Sequence, residues 1–391
     1  MAMVAQTPAP PAVGNTANWV RWAQVAFWLI CLACLLGFPL VFSDGASTTI
    51  AFFTLVFAAA GAAWNIFSGY SGYIALGHAV FFGVGQYALA IMCAKWNVPG
   101  GYMPFALVPL AGLVAAVVAV PLGLIALRTR RHTFIVITIA YLFIFQLLAE
   151  NNVLGLTNGQ GGLEYPIPPW FGASFNIPFY YVMAAILLFT VAVSWLVRHS
   201  KYGLELLAIR DDEDRALGLG VRTTLIKLSA FTLSAFLVGM AGSVMGYFNE
   251  SIYPSAGQAI GFSAQFDVVV ALMAFLGGLG TISGPLLGAL IILPAQQYLT
   301  VTLSRVTIFN LSTIQSGLYL IGYGAVFLAI ILLLPQGIVP AVSQFIRNRL
   351  AARSGAQLAS GPPQSGAEPA PDEPAPGEPP PSMATTAPRQ R

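Results

Sequence analysis

Two stretches of this chain carry side chains that could act on a solute or on a partner. In GYSGYIALGHAVFFGVGQY, residues 69–87, five glycines (Gly69, Gly72, Gly77, Gly83 and Gly85) surround His78 within an otherwise apolar run. An imidazole can donate, accept or carry a proton there, and backbone opened among apolar neighbours can offer its own polar groups to a solute. In RHSKYGLELLAIRDDEDRALGLGVRTTLIK, residues 198–227, six Lys or Arg and five acids stand together. Mixed charge of that kind suits docking better than bond making. The bond-making motifs are missing: no GxxxxGK[ST] phosphate loop, HExxH, CxxC or GxSxG occurs, and the three cysteines have neither disulfide nor zinc spacing. An enzyme is not expected, nor a cofactor or metal held by this chain.

Membrane helices must hold both stretches. The 391 residues are 57% hydrophobic and 8% charged, with a mean hydropathy of +0.77, whereas soluble domains carry about 25% charge. A net charge of +3 gathered in short loops forms no face for nucleic acid. Crossing about 30 Å of hydrocarbon takes about 20 apolar residues. Suitable runs lie near 22–42, 48–68, 73–94, 103–127, 133–150, 178–197, 225–248, 264–281, 283–303 and 314–335. The expected fold class is therefore an all-α polytopic membrane protein with about ten transmembrane helices.

Charge sets the sidedness. Starting inside, fifteen of the seventeen Lys and Arg fall in cytoplasmic segments, Lys95 and Arg305 being the exceptions. The two longest external loops, 151–177 and 249–263, contain none. This predicts a flexible cytoplasmic N-terminus over 1–20, an uncleaved first span, a transmembrane domain over 21–345 and a cytoplasmic loop over 198–227. A disordered Pro/Ala-rich tail over 354–391 puts both termini in the cytoplasm.

Within the loop a short helix is expected. Asp211 can cap it, Asp212, Glu213 and Asp214 fall in its first turn where the helix dipole favours negative charge, and Gly218 or Gly220 offers a stop. Two turns do not hold alone in water. Leu204, Leu207, Ala208, Leu217 and Leu219 then need a surface, either the bundle or a partner. A solvated loop that only sets topology is the alternative.

A second glycine-dense stretch, FLGGLGTISGPLLGA at 275–289, places Gly277, Gly278, Gly280, Gly284 and Gly288 around Pro285. Paired interruptions in corresponding halves point to a transport path, and close helix packing through small residues is the rival explanation. Taking spans two to five and seven to ten as halves, their starting sides differ, so the halves are inverted four-helix units with the two stretches on spans three and eight. The side chains expected along the path are Ser71, His78, Gln86 and Tyr87, with Gly77, Gly278 and Gly280. His78 reads equally as a neutral packing residue. Asp267 and Glu150 fall near span ends, close to water. No span carries a central acid, which disfavours proton- or sodium-coupled carriers.

Five ordered blocks now resemble a known family: GYSGYIALGHAVFFGVGQY, TNGQGGL at 157–163, KYGLELLAIRDDEDRALGLGV at 201–221, KLSAFTLSAFLVGMAG at 227–242 and GGLGTISGPLLGA at 277–289. Over about residues 45–340 the chain is similar to permease subunits of high-affinity branched-chain amino acid ABC importers of the LivM type. The resemblance implies a bacterial inner membrane and a heterodimer with a homologous sister permease. It also implies two cytoplasmic ATPase subunits that bind ATP and Mg, and a periplasmic amino-acid-binding protein. It implies that a short cytoplasmic helix inserts into an ATPase groove. By position that coupling segment runs from Gly203 to Val221, with Arg210, Asp211, Asp212, Glu213, Ala216 and Gly220 at matching places. Departures are Ala75 before Leu76-Gly77-His78, and Asp214 and Arg215 where apolar or small residues are common. Importers of urea or short amides share much of the pattern, and a stand-alone carrier or channel is the rival from another class.

Overall fold

The computed structural model describes residues 32–42, 44–254, 261–305 and 337–339. The expected N-terminal segment 1–20, the tenth span near 314–335 and the tail 354–391 lie outside the described residues.

The described elements are almost entirely helical: α1 (Leu32–Val41), α2 (Gly45–Trp64), α3 (His78–Lys95), α4 (Met103–Ala106), α5 (Val108–Ala126), α6 (Arg131–Glu150), α7 (Asn176–His199), α8 (Lys201–Asp211), α9 (Glu213–Gly218), α10 (Thr223–Phe248), α11 (Ala264–Gly277) and α12 (Gly284–Arg305). Strands β1 (Leu163–Glu164) and β2 (Ser251–Ile252) form one antiparallel pair, Leu163 opposite Ile252. Among the described residues, five helices are long and apolar enough to cross a membrane: α2 with its extension to Gly69, α5, α6, α7 and α10. The fold is that of an all-α polytopic membrane protein.

Two expected spans are broken. The run at 73–94 becomes helical only at His78, and 72–77 are without helix. The run at 264–281 stops at Gly277 after 14 residues, about 21 Å at 1.5 Å per residue, short of the hydrocarbon thickness. Both breaks fall in the glycine-dense stretches. The run at 103–127 also divides, into α4 and α5.

Helix α10 lies at the centre, packed on α3, α5 and α2. Lipid tails are as apolar as leucine, so helices in a membrane associate through close van der Waals contact, and small residues allow it. A Cβ on Gly85 would overlap the Gly239 carbonyl, and one on Gly242 would overlap that of Phe82. The outer part of the first glycine-dense stretch is thus accounted for by packing, as the rival explanation required. On the opposite side α5 and α6 expose Leu113, Val117, Leu124, Val136, Phe143 and Leu147, a surface suited to lipid.

Candidate functional site

The two breaks and the polar loop meet in one place. The chain leaves α2 through a π-helical turn, Asn65–Gly69, whose last carbonyls lack continuing helical donors. The side chain of Asn65 bridges to the second break: its Oδ1 accepts from the Gly280 N–H at 2.9 Å and its Nδ2 donates to the Thr281 carbonyl at 2.9 Å. From the loop, Arg210 Nη1 donates to the Gly69 carbonyl at 2.8 Å. A Cβ on Gly280 would strike that guanidinium, and Gly280 takes a φ of 75°, so both space and backbone demand glycine. One arginine therefore touches both glycine-dense stretches.

Arg210 is held from behind. Arg131, first residue of α6, donates through Nη2 to the carbonyls of Arg210 at 2.7 Å and Ile209 at 3.2 Å, satisfying orphan acceptors at the C-terminal end of α8. A second tie lies three residues on. Glu213 accepts from Lys227 Nζ and from the Tyr73 hydroxyl, and Tyr73 belongs to the non-helical 72–77 segment. The Lys227 side chain is 3% exposed and that of Glu213 27%. Burial opposes ionisation of Glu213, but hydrogen bonds from Lys227 and Tyr73 and the charges of Lys227 and Arg131 outweigh it and hold the carboxyl below the usual range.

The expected helix exists with its boundary moved by one residue. Asp211 ends α8, and Asp212, not Asp211, is the cap: in extended conformation it accepts from Arg215 N at 3.0 Å, while its own N–H closes α8 on the Ala208 carbonyl. The reason is that α8 runs unbroken to Asp211, so only the next residue is free to turn the chain. Glu213 and Asp214 make the acidic first turn, and Gly220 takes the left-handed turn after Gly218. Substituting Asp212 by Ala is expected to cost about 1 kcal/mol, read as a lower unfolding midpoint of the purified chain. An unchanged midpoint would show that the cap contributes nothing.

The predicted coupling set divides into two faces. Gly203, Arg210, Glu213 and Ala216 face the bundle; Gly203 packs against the Val197 carbonyl, and Ala216 is buried with Leu206 and Ile209. Asp211, Gly220, Leu204, Leu217 and Leu219 face outward, the three leucines 65%, 59% and 84% exposed. Leu204, Leu217 and Leu219 were expected to need a surface, and the bundle does not supply it.

The predicted path residues occupy three levels. Gly278 and Gly280 form the turn between α11 and α12. Ser71, Gly77 and His78 bracket the break before α3: Ser71 Oγ donates to the Phe67 carbonyl at 2.7 Å, Gly77 abuts the Thr138 backbone, and His78 Nε2 meets Ser234 Oγ at 2.8 Å. Gln86 and Tyr87 lie further along α3, beneath the β1–β2 pair, where Tyr165 donates to the Gln86 carbonyl at 2.7 Å and Tyr87 stacks on Phe262. Gln86 Oε1 and the Tyr87 hydroxyl are buried without partners among the described residues. A cavity of about 240 Å³ opens elsewhere, at the start of α11, between Thr49, Phe53, Ser263, Gln265 and Leu293. None of the predicted path residues lines it.

Sequence reasoning passed over Lys227, Tyr73, Arg131 and Asn65. Lys227 could have been found, because a cation inside the first turns of a span requires a partner. Asp267 was misplaced. It is not near water but buried, its Oδ1 accepting from Ala79 N at 3.0 Å, because α11 begins against the start of α3.

Residues 46–335 match the family described as branched-chain amino acid transport system, permease component. The high-affinity branched-chain amino acid transport system permease protein LivM of Salmonella typhimurium is 27% identical over 301 residues, covering 70% of this chain and 68% of that protein. LivM of Escherichia coli is 26% identical over the same shares. The fructose import permease protein FrcC of Rhizobium meliloti is 30% identical over 126 residues, 32% of this chain and 35% of its own. No solved structure matches.

Proposed function

We propose a function from one premise: the chain belongs to the family of permease components of branched-chain amino acid transport systems. It carries branched-chain and other hydrophobic amino acids across a bacterial inner membrane by alternating access, driven by ATP hydrolysis on separate subunits. A homologous sister permease completes the pathway, two cytoplasmic ATPases hold ATP and magnesium, and a periplasmic binding protein delivers the cargo. The observation that carries this reading is the convergence at Arg210: the loop that faces outward with three bare leucines also grips both interruptions of the membrane helices.

In this reading the ATPase takes the outer face of α8 and α9 and moves them as one piece. Arg210 passes the motion to the end of α2 and to the α11–α12 turn, and Glu213 passes it through Tyr73 to the break before α3. Short interrupted helices suit such motion, since a non-helical segment absorbs rotation that a continuous helix resists.

Replacing both Leu217 and Leu219 by Asp tests the docking face. Because both side chains are exposed, the unfolding midpoint is expected to stay unchanged while ATPase copurification and ATP-driven uptake fall more than tenfold. Retained association would remove the docking role, and concentrative uptake by vesicles holding this chain without any ATPase would remove the whole reading. FrcC's likeness favours a second reading, the same machine with another cargo. Binding of radiolabelled leucine and fructose to the partner binding protein separates the two.

A further inference from the structure

Asp267 is the one acid buried among the described residues, and it sits where two broken helices abut. One carboxylate oxygen, Oδ1, accepts from Ala79 N in the first turn of α3, and the backbone N–H of His78 also bonds to this carboxyl group. The other, Oδ2, has no partner among the described residues. His78, the first residue of α3, leaves a second orphan on the side that faces α2 and α10. Ser234 donates its single hydroxyl proton to the Ala63 carbonyl at 2.7 Å, so toward His78 its oxygen can only accept. His78 therefore carries a hydrogen on Nε2, and Nδ1 of the neutral ring is a bare, buried lone pair.

The backbone N–H groups at the start of α3 answer one side of this carboxyl, and for Oδ2 a cation or a proton must do the rest. Its surroundings supply no cation. From α3 the titratable neighbour is His78, its ring set among Phe67, Phe81 and Phe231. The other elements packed on α11 are α2 and α12, and neither residues 45–69 nor the described side chains of α12 as far as Gln297 include a Lys, Arg, His, Asp or Glu. The ion pairs of the described residues lie in the cytoplasmic loop, between Arg215 and Asp212 and between Lys227 and Glu213. The start of α3 offsets part of the charge. An unpaired buried charge nevertheless costs more than a neutral carboxyl with one unsatisfied hydrogen bond.

We propose that the α3–α11 junction is a proton-binding site, with one proton held on Oδ2 of Asp267 while the junction is closed. Opening the junction to water ionises the carboxylate and releases the proton, so low pH favours the closed arrangement and high pH the open one. The sign follows from linkage: the closed, folded chain binds one more proton than the water-exposed carboxylate, and stability must fall as pH rises.

Infrared spectra of the full chain in lipid nanodiscs test this without any transport assay. Wild type is expected to show a protonated-carboxyl C=O band at neutral pH, where water-exposed carboxyls are ionised, and Asp267→Asn to lose it. The unfolding midpoint of wild type should drop between neutral and alkaline pH, and that of Asp267→Asn should stay flat. Should the Asn variant fail to fold, Asp267→Glu should move the band to a new frequency. Identical carboxyl bands in wild type and the folded variant, or parallel pH profiles of unfolding, would overturn the proposal.

Discussion

Replacing Arg210 by Ala is expected to cut ATP-driven uptake by at least tenfold while the ATPase subunits remain bound. A charge-assisted hydrogen bond contributes about 1.5–3 kcal/mol, and about 1.4 kcal/mol corresponds to a factor of ten. Arg210 makes such a bond to the Gly69 carbonyl and lies against Gly280. Its loss frees the end of α2 and the α11–α12 turn from the loop together, while the outward leucines proposed to meet the ATPase keep their places. ATP hydrolysis per solute moved should therefore rise, which general unfolding would not produce. Arg210→Lys is expected to recover uptake only in part, because an ammonium supplies a point charge without the planar guanidinium that bonds the Gly69 carbonyl while packing against Gly280. Uptake and hydrolysis measured together in proteoliposomes decide the matter, and an unchanged ratio in Arg210→Ala would sink the lever.

The Glu213–Lys227 tie should show the largest effect on stability. Removing the carboxylate with Glu213→Ala leaves the Lys227 ammonium buried without its counter-charge, and breaking a buried pair this way costs about 3–5 kcal/mol. The lower end is expected, since Glu213 is partly exposed. Exchanging both residues for apolar ones, Glu213→Leu with Lys227→Met, should recover most of the loss, because no uncompensated charge remains. Thermal unfolding of wild type, Glu213→Leu, Lys227→Met and the double variant closes the cycle, and additive losses would disprove the coupling. The tie also depends on pH. With the Glu213 carboxyl held below its ordinary range, its contribution is present above that range and is lost as pH falls through the lowered value.

Much of this arrangement was legible in the residues. Long apolar runs with few charges announce membrane spans whatever their packing, since hydrocarbon admits little else. The segregation of Lys and Arg marked residues 198–227 as a unit, and the acid run at 211–214 marked a helix start, misplaced by one residue because the reach of α8 depends on contacts at Leu206 and Ile209. The glycine-dense stretches were recognisable as interruptions. Their division of labour was not: Gly85 serves close packing against α10, whereas Gly280 makes room for Arg210.

By itself, then, the sequence determined the class of protein, the polar loop and the two weak points in the membrane helices, because composition and short-range pattern act on each segment separately. Only the tertiary structure decided that Asn65, Gly69, Arg210 and Gly280 share one spot, that Lys227 answers Glu213, and that Asp267 is sealed from water. Those outcomes join residues more than a hundred positions apart in most cases, and at such separations a side chain's partner is chosen by how helices pack, which no local pattern of residues encodes.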